Sequence, residues 1–129
     1  MLEKEEVVAY WKESARKDRQ VVKDMLKSKH NDWALFIWHL AIEKLLKGLL
    51  VKEEKEVIFT HNLFRLAMEL EEINFSEEHL EWLKEITTFN LEARYNSYKF
   101  EFYKKATDEY TKKWDSRCEE IYQWLLKKF

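Results

Sequence analysis

Apolar positions along the chain recur at intervals of three, four and seven residues. Val8, Trp11, Ala15, Val22 and Met25 fall on one stripe, and this spacing predicts a first helix over about residues 3–28. A polar break at 28–32 follows, with Asn31 or Asp32 expected as the N-cap of the next helix. That second helix, about 32–52, reads WALFIWHLAIEKLLKGLLV and is apolar on most faces, the pattern of a helix surrounded by others. The charged run KEEKE forms a solvated link, after which Thr60 is expected to cap a short third helix carrying Leu63, Leu66, Ala67 and Leu70. Ser76 followed by Glu77 and Glu78 opens a fourth, because acids there oppose the positive end of the helix dipole. Leu80, Leu83 and Ile86 form its inner face. Beyond a break at Asn96–Ser97, one long last helix is predicted to about Lys128, with Tyr103, Ala106, Tyr110, Trp114, Ile121 and Leu125 inward.

Composition sharpens this to an all-α up-and-down bundle of four to five helices, one domain over residues 1–129. The chain has one glycine and no proline in 129 residues. Strand-rich domains need turn residues, whereas helices joined by short polar loops do not. Hydrophobic residues make up 46% and aromatics 16%, enough for a packed core around a central second helix. The single Cys118 leaves no internal disulfide and no cysteine-rich zinc site, which suits a reducing cytosol. No apolar run of signal-peptide length opens the chain, and the most apolar run carries His39, Glu43, Lys44 and Lys47, which disfavours a membrane span. A soluble cytoplasmic protein is expected. The net charge of −2 hides an uneven distribution: +1 over residues 1–60, −6 over 61–93 and +3 over 94–129. The basic last third is weakly suited to phosphates.

Spacing strikes out several chemistries. One glycine cannot build a Walker loop or a dinucleotide fingerprint, which need several to let the backbone approach phosphate. Di-metal bundles use Glu-x-x-His pairs, but Lys27, Phe36, Ile58 and Ser76 stand three residues before His30, His39, His61 and His79. No metal or cofactor is expected. Three constellations remain. In HLAIEKLLK, His39 and Glu43 share a helix face, as do Glu43 and Lys47. They form either a mutually satisfied group at the bundle edge or a pocket where Lys44 or Lys47 meets phosphate. In THNL, His61 and Asn62 are placed in a first helical turn, whose free N–H groups favour an anion; capping by Thr60 is a sufficient alternative. In LEARYNSYKFEFYKK, Arg94 at a helix C-terminus is favoured by the dipole there, and Tyr95, Tyr98 and Tyr103 are core, dimer surface or a base-stacking platform.

Taken in order, these residues resemble the HEPN family (higher eukaryotes and prokaryotes nucleotide-binding), in its small stand-alone prokaryotic form. The resemblance rests on Trp11, Ala15 and Asp18 in the first helix and on Glu43, Lys44 and Lys47 in the second. The turn Thr60–Leu63 and the pair Arg94–Tyr95 complete it. It implies a helical bundle that forms a homodimer, often beside a small nucleotidyltransferase. It also implies, for many members, a metal-independent ribonuclease toxin of a toxin–antitoxin pair. That activity uses an arginine, four to six residues, then a histidine acting as base. Here Arg94 is present, but every histidine precedes it.

The expectation is therefore a non-catalytic or minimally active bundle that binds a nucleotide or a nucleotidyltransferase partner. Arg94 and Lys47 would meet phosphate, His61 and Asn62 would add polar contacts, and Tyr95 would border the groove. Two alternatives stay open: an RNA-cleaving toxin with His39 or His61 as the base, and an interaction module without a small ligand.

Overall fold

The computed structural model describes residues 3–94 and 96–129, and the side chains of all of these except 91–94 and 96–98. Six helices follow one another among the described residues, with no strand: α1 Lys4–Lys27, α2 Asn31–Lys52, α3 Leu63–Met68, α4 Glu77–Arg94, α5 Asn96–Lys105 and α6 Asp108–Leu126. The apolar second helix is the axle. Twelve of its residues are buried, and it touches all five others, most extensively α1. Leu35, Trp38, Ile42, Leu45, Leu46 and Leu49 form the middle of the core, against Ala15 and Val22 of α1, Leu83, Ile86 and Phe89 of α4, and Trp114, Cys118 and Ile121 of α6.

The one glycine serves packing rather than turning. Gly48 lies inside α2, where an added Cβ would stand 3.0 Å from Trp11 Cβ and 3.2 Å from the Phe129 ring. Both long helices instead end on charged residues in the left-handed region, Lys29 at φ 61° and Glu54 at φ 60°. After α1, the His30 N–H reaches the Met25 carbonyl at 2.8 Å and the Lys29 N–H that of Leu26 at 3.1 Å. After α2, Lys55 and Glu54 repeat the pattern with Leu50 and Val51, so each end is a Schellman motif built without glycine.

Three sequence expectations are corrected. The predicted single last helix is two. Thr107 adopts extended backbone (φ −64°, ψ 165°), and its hydroxyl accepts from the Tyr110 N–H, capping α6, with Asp108 and Glu109 in the first turn. The break resets the helical phase, so Phe102 is buried and Tyr103, expected inward, is 66% exposed. Neither Asn31 nor Asp32 caps α2. The cap position falls on His30 without a side-chain bond, and Asn31 Nδ2 donates across the fold to the Ala106 carbonyl (3.2 Å) and Asp108 Oδ1 (2.9 Å), tying down the α5–α6 break. Asn62, not Thr60, caps α3 through Oδ1 and the Arg65 N–H at 3.1 Å. Thr60 stays on the loop, its hydroxyl accepting from the Asn62 N–H two residues on. Ser76 caps α4 as expected, accepting from the His79 N–H at 3.0 Å.

Candidate functional site

Spacing of four residues puts His39, Glu43 and Lys47 on one face of α2. The connection from α2 to α3 crosses that face. Val57 and Ile58 pack on the core, and the chain then passes over His39 and Glu43. His39 is fully buried; its Nε2 lies 2.8 Å from the His61 carbonyl oxygen, which can only accept, so Nε2 carries the proton and donates. His61 returns through its ring: Nδ1 is 2.9 Å from Glu43 Oε1 and donates to it. Lys47 Nζ donates to the other oxygen, Oε2, at 3.0 Å and stands 5.9 Å from the centre of the Trp11 ring, a cation–π contact from α1. His39 Nε2 is also 3.7 Å from Glu43 Oε1.

The result is a chain of polar groups running from interior to surface. The Glu43 side chain is 7% exposed, Lys47 13% and His61 48%. Glu43 is the hub, accepting on both oxygens from groups eighteen and four residues away. With both imidazoles neutral, the charges of Glu43 and Lys47 cancel. A proton on His61 would turn the outer end cationic. When His61 is neutral, donation from Nδ1 leaves the lone pair on Nε2 of this half-exposed ring.

The other expected site residues divide. Lys44 faces α1 and pairs with Asp18 Oδ2 at 2.8 Å, so its charge is already balanced. Asn62 is exposed at the rim, next to His61, with its oxygen committed to the α3 cap. Two of the N–H groups expected to be free for an anion are occupied, Arg65 by Asn62 and Leu63 by Thr87 Oγ1 of α4 at 3.0 Å. The Arg94 side chain and Tyr95 lie outside the described residues. The structure thus brings His39, Glu43, Lys47, His61 and Asn62 together and turns Lys44 aside. Sequence spacing found the α2 triad, but not the crossing of the 57–62 segment that completes it. Trp11 and Asp18, singled out only as parts of a family pattern, gain physical roles as partners of Lys47 and Lys44.

Cys118 is excluded as a nucleophile. Burial pushes its thiol well above the usual range, with the charges of Asp115 and Glu119 adding to the effect. Among the described residues no group of three or more His, Cys, Asp or Glu could hold a metal ion, and no helix is long and apolar enough to cross a membrane.

The family model of the HEPN domain matches residues 8–129. The chain belongs to the HEPN family. The crystal structure of TT1696 from Thermus thermophilus is similar to this HEPN domain at a TM-score of 0.83, with 21% identity over 95% of this chain and 98% of that one. At that identity the likeness establishes a shared fold. No curated protein sequence matches the chain. The residues that carry the HEPN resemblance in α1, α2 and the 60–63 turn are, in this fold, physically joined. Trp11 and Asp18 of α1 meet Lys47 and Lys44 of α2, and Glu43 and His39 of α2 hold His61.

Proposed function

We propose that this HEPN domain binds a nucleotide at the outer end of the Glu43 network. It works there as a cytoplasmic, non-catalytic homodimer beside a small nucleotidyltransferase. The observation that carries the reading is the network itself. A histidine, a carboxylate and a lysine of the most apolar helix join a second histidine from the loop that follows it, and the network reaches the surface at His61. Ionisable groups on such a helix are costly to bury unless paired, and here the pairing ends at a half-exposed imidazole open to a ligand. In this reading His61 and Lys47 meet the phosphate, Asn62 adds a polar contact, and Arg94 and Tyr95 are the candidate further contacts. Titration with ATP followed by tryptophan emission tests it, because Trp11 touches Lys47. A saturable change absent from the Trp11→Phe variant supports the site; an unchanged wild-type spectrum and melting temperature count against it. Co-purification with a nucleotidyltransferase tests the partner.

One observation favours a second reading, a metal-independent ribonuclease. Glu43 holds His61 by Nδ1, the orientation that leaves Nε2 as a general base. His61 would take the 2′-hydroxyl proton, that oxygen would attack the adjacent phosphorus, and the 5′-oxygen, taking a proton from water, would leave as the 5′-hydroxyl to give a 2′,3′-cyclic phosphate, with Arg94 countering the charge. Cleavage of labelled single-stranded RNA in chelator, lost in His61→Ala and Arg94→Ala, would establish this reading in place of the first. The first predicts no cleavage above background.

A further inference from the structure

Phe59 is fully exposed, at a relative accessibility of 102%, two residues before His61. Its exposure does not come from a loose loop. Val57 and Ile58 before it pack on the core. The Thr60 N–H bonds the Ile58 carbonyl at 3.1 Å, the Asn62 N–H bonds Thr60 Oγ1, and the His61 carbonyl is fixed by buried His39 at 2.8 Å. A phenyl ring is therefore held in solvent at a defined place. Two Cα–Cα steps separate it from His61, a span of at most about 7 Å. Of the other large exposed aromatics, Trp33, Phe100 and Tyr103 belong to the first turn of α2 and to α5, away from the network in sequence, while Tyr10 of α1 stands beside Trp11, 5.7 Å between ring centres, at the Lys47 end rather than beside His61.

A ligand held at the mouth of the network thus meets a polar, ionisable end at His61 and Lys47 and a flat apolar face at Phe59. A mononucleotide has that polarity, an anionic phosphate at one end and a planar base at the other. We infer that Phe59 is the base-binding residue of this site, its ring stacking on the nucleobase while the phosphate lies against His61 and Lys47. The inference rests on the nucleotide-binding reading above. Stacking tolerates every base, because each has a π-face, so Phe59 supplies affinity for a nucleotide over a bare phosphate chain rather than a choice among bases. Asn62, exposed beside it, retains its side-chain amide N–H groups for the edge of the base or for the ribose.

Calorimetric titration of the full chain with ATP and with inorganic tripolyphosphate tests this directly. Each is run on the wild type and on Phe59→Ala, Phe59→Leu and Phe59→Trp. The ring touches no core, so all four proteins are expected to melt together. Phe59→Ala should weaken ATP about tenfold and leave tripolyphosphate unchanged; Phe59→Trp should restore ATP, and Phe59→Leu should not. Equal ATP affinity in wild type and Phe59→Ala would overturn the stacking role while leaving the phosphate site intact. Recovery by leucine, or an equal loss of tripolyphosphate, would overturn it too, since neither outcome needs a planar contact with a base. If the wild type binds neither ligand, the nucleotide-binding reading fails, and the role of Phe59 with it.

Discussion

Replacing Glu43 with glutamine keeps the shape of the hub and removes its charge. In the native fold its two oxygens receive donors from Lys47 at 3.0 Å and His61 at 2.9 Å. A glutamine offers one acceptor oxygen and sets an amide N–H against the other donor, so one of the two bonds is lost whichever way the amide is turned. The lysine loses its counter-charge while only 13% exposed. Breaking a buried pair by removing one partner costs about 3–5 kcal/mol. Lys47 can recover part of this by extending its ammonium toward water, and His61 is half in solvent already, so the expected cost is about 2–4 kcal/mol. For a chain of this size that is a fall in Tm of about 10 °C. Urea unfolding followed by tryptophan emission reads the free energy directly. The double variant Glu43→Gln, Lys47→Met supplies the control: with the stranded cation gone, at least half of the loss should return. A single variant within about 0.5 kcal/mol of wild type, or no recovery in the double variant, would refute Glu43 as the electrostatic hub.

Four further outcomes test the packing and charge arguments. Gly48→Ala sets a Cβ against Trp11 Cβ, which cannot move without α1; it should destabilise by about 1 kcal/mol, the crowding outweighing alanine's helix preference. Glu54→Gly should do the reverse and raise stability by about 0.5–1 kcal/mol, since the residue sits at φ 60°, where a side chain is strained; both are read by urea melts. Thr107→Ala should cost about 1 kcal/mol by removing the cap of α6, and hydrogen exchange should show faster opening at the amides of Asp108–Tyr110 than elsewhere in the helix. Burial alone would raise the Glu119 carboxyl, but hydrogen bonds from Arg19 and Gln123, with the charges of Arg19 and Lys23, bring it below the usual range. A depressed carboxyl contributes stability above its unfolded pKa of about 4.3 and loses it as pH falls through the folded value. Glu119→Gln should therefore cost about 0.5–1 kcal/mol at pH 7, and its difference from wild type should shrink as the pH falls below about 4.3.

The bundle was legible where polar breaks interrupt the apolar period. The predicted 3–28 and 32–52 meet the observed Lys4–Lys27 and Asn31–Lys52 almost end to end. The α5–α6 break was missed although Thr107–Asp108–Glu109 repeats the signal read correctly at Ser76–Glu77–Glu78. Aromatic residues on both sides of it continue an apparent helical period, and neither glycine nor proline marks the change. The site was half legible for a related reason. His39, Glu43 and Lys47 follow from spacing within one helix, whereas the contact of Glu43 with His61 depends on a loop returning over α2, which no local pattern encodes. The assignment of the α3 cap to Thr60 failed because two adjacent capping residues compete, and asparagine, nearer the helix, takes the bond.

Calorimetry of ATP against the wild type and His61→Ala tests the central claim most directly. His61 closes the network at the surface and does not belong to the core, so its removal should leave the fold intact. The account predicts saturable binding to the wild type, weakened at least about tenfold in His61→Ala. No binding to the wild type, or equal affinity in the variant, would contradict it.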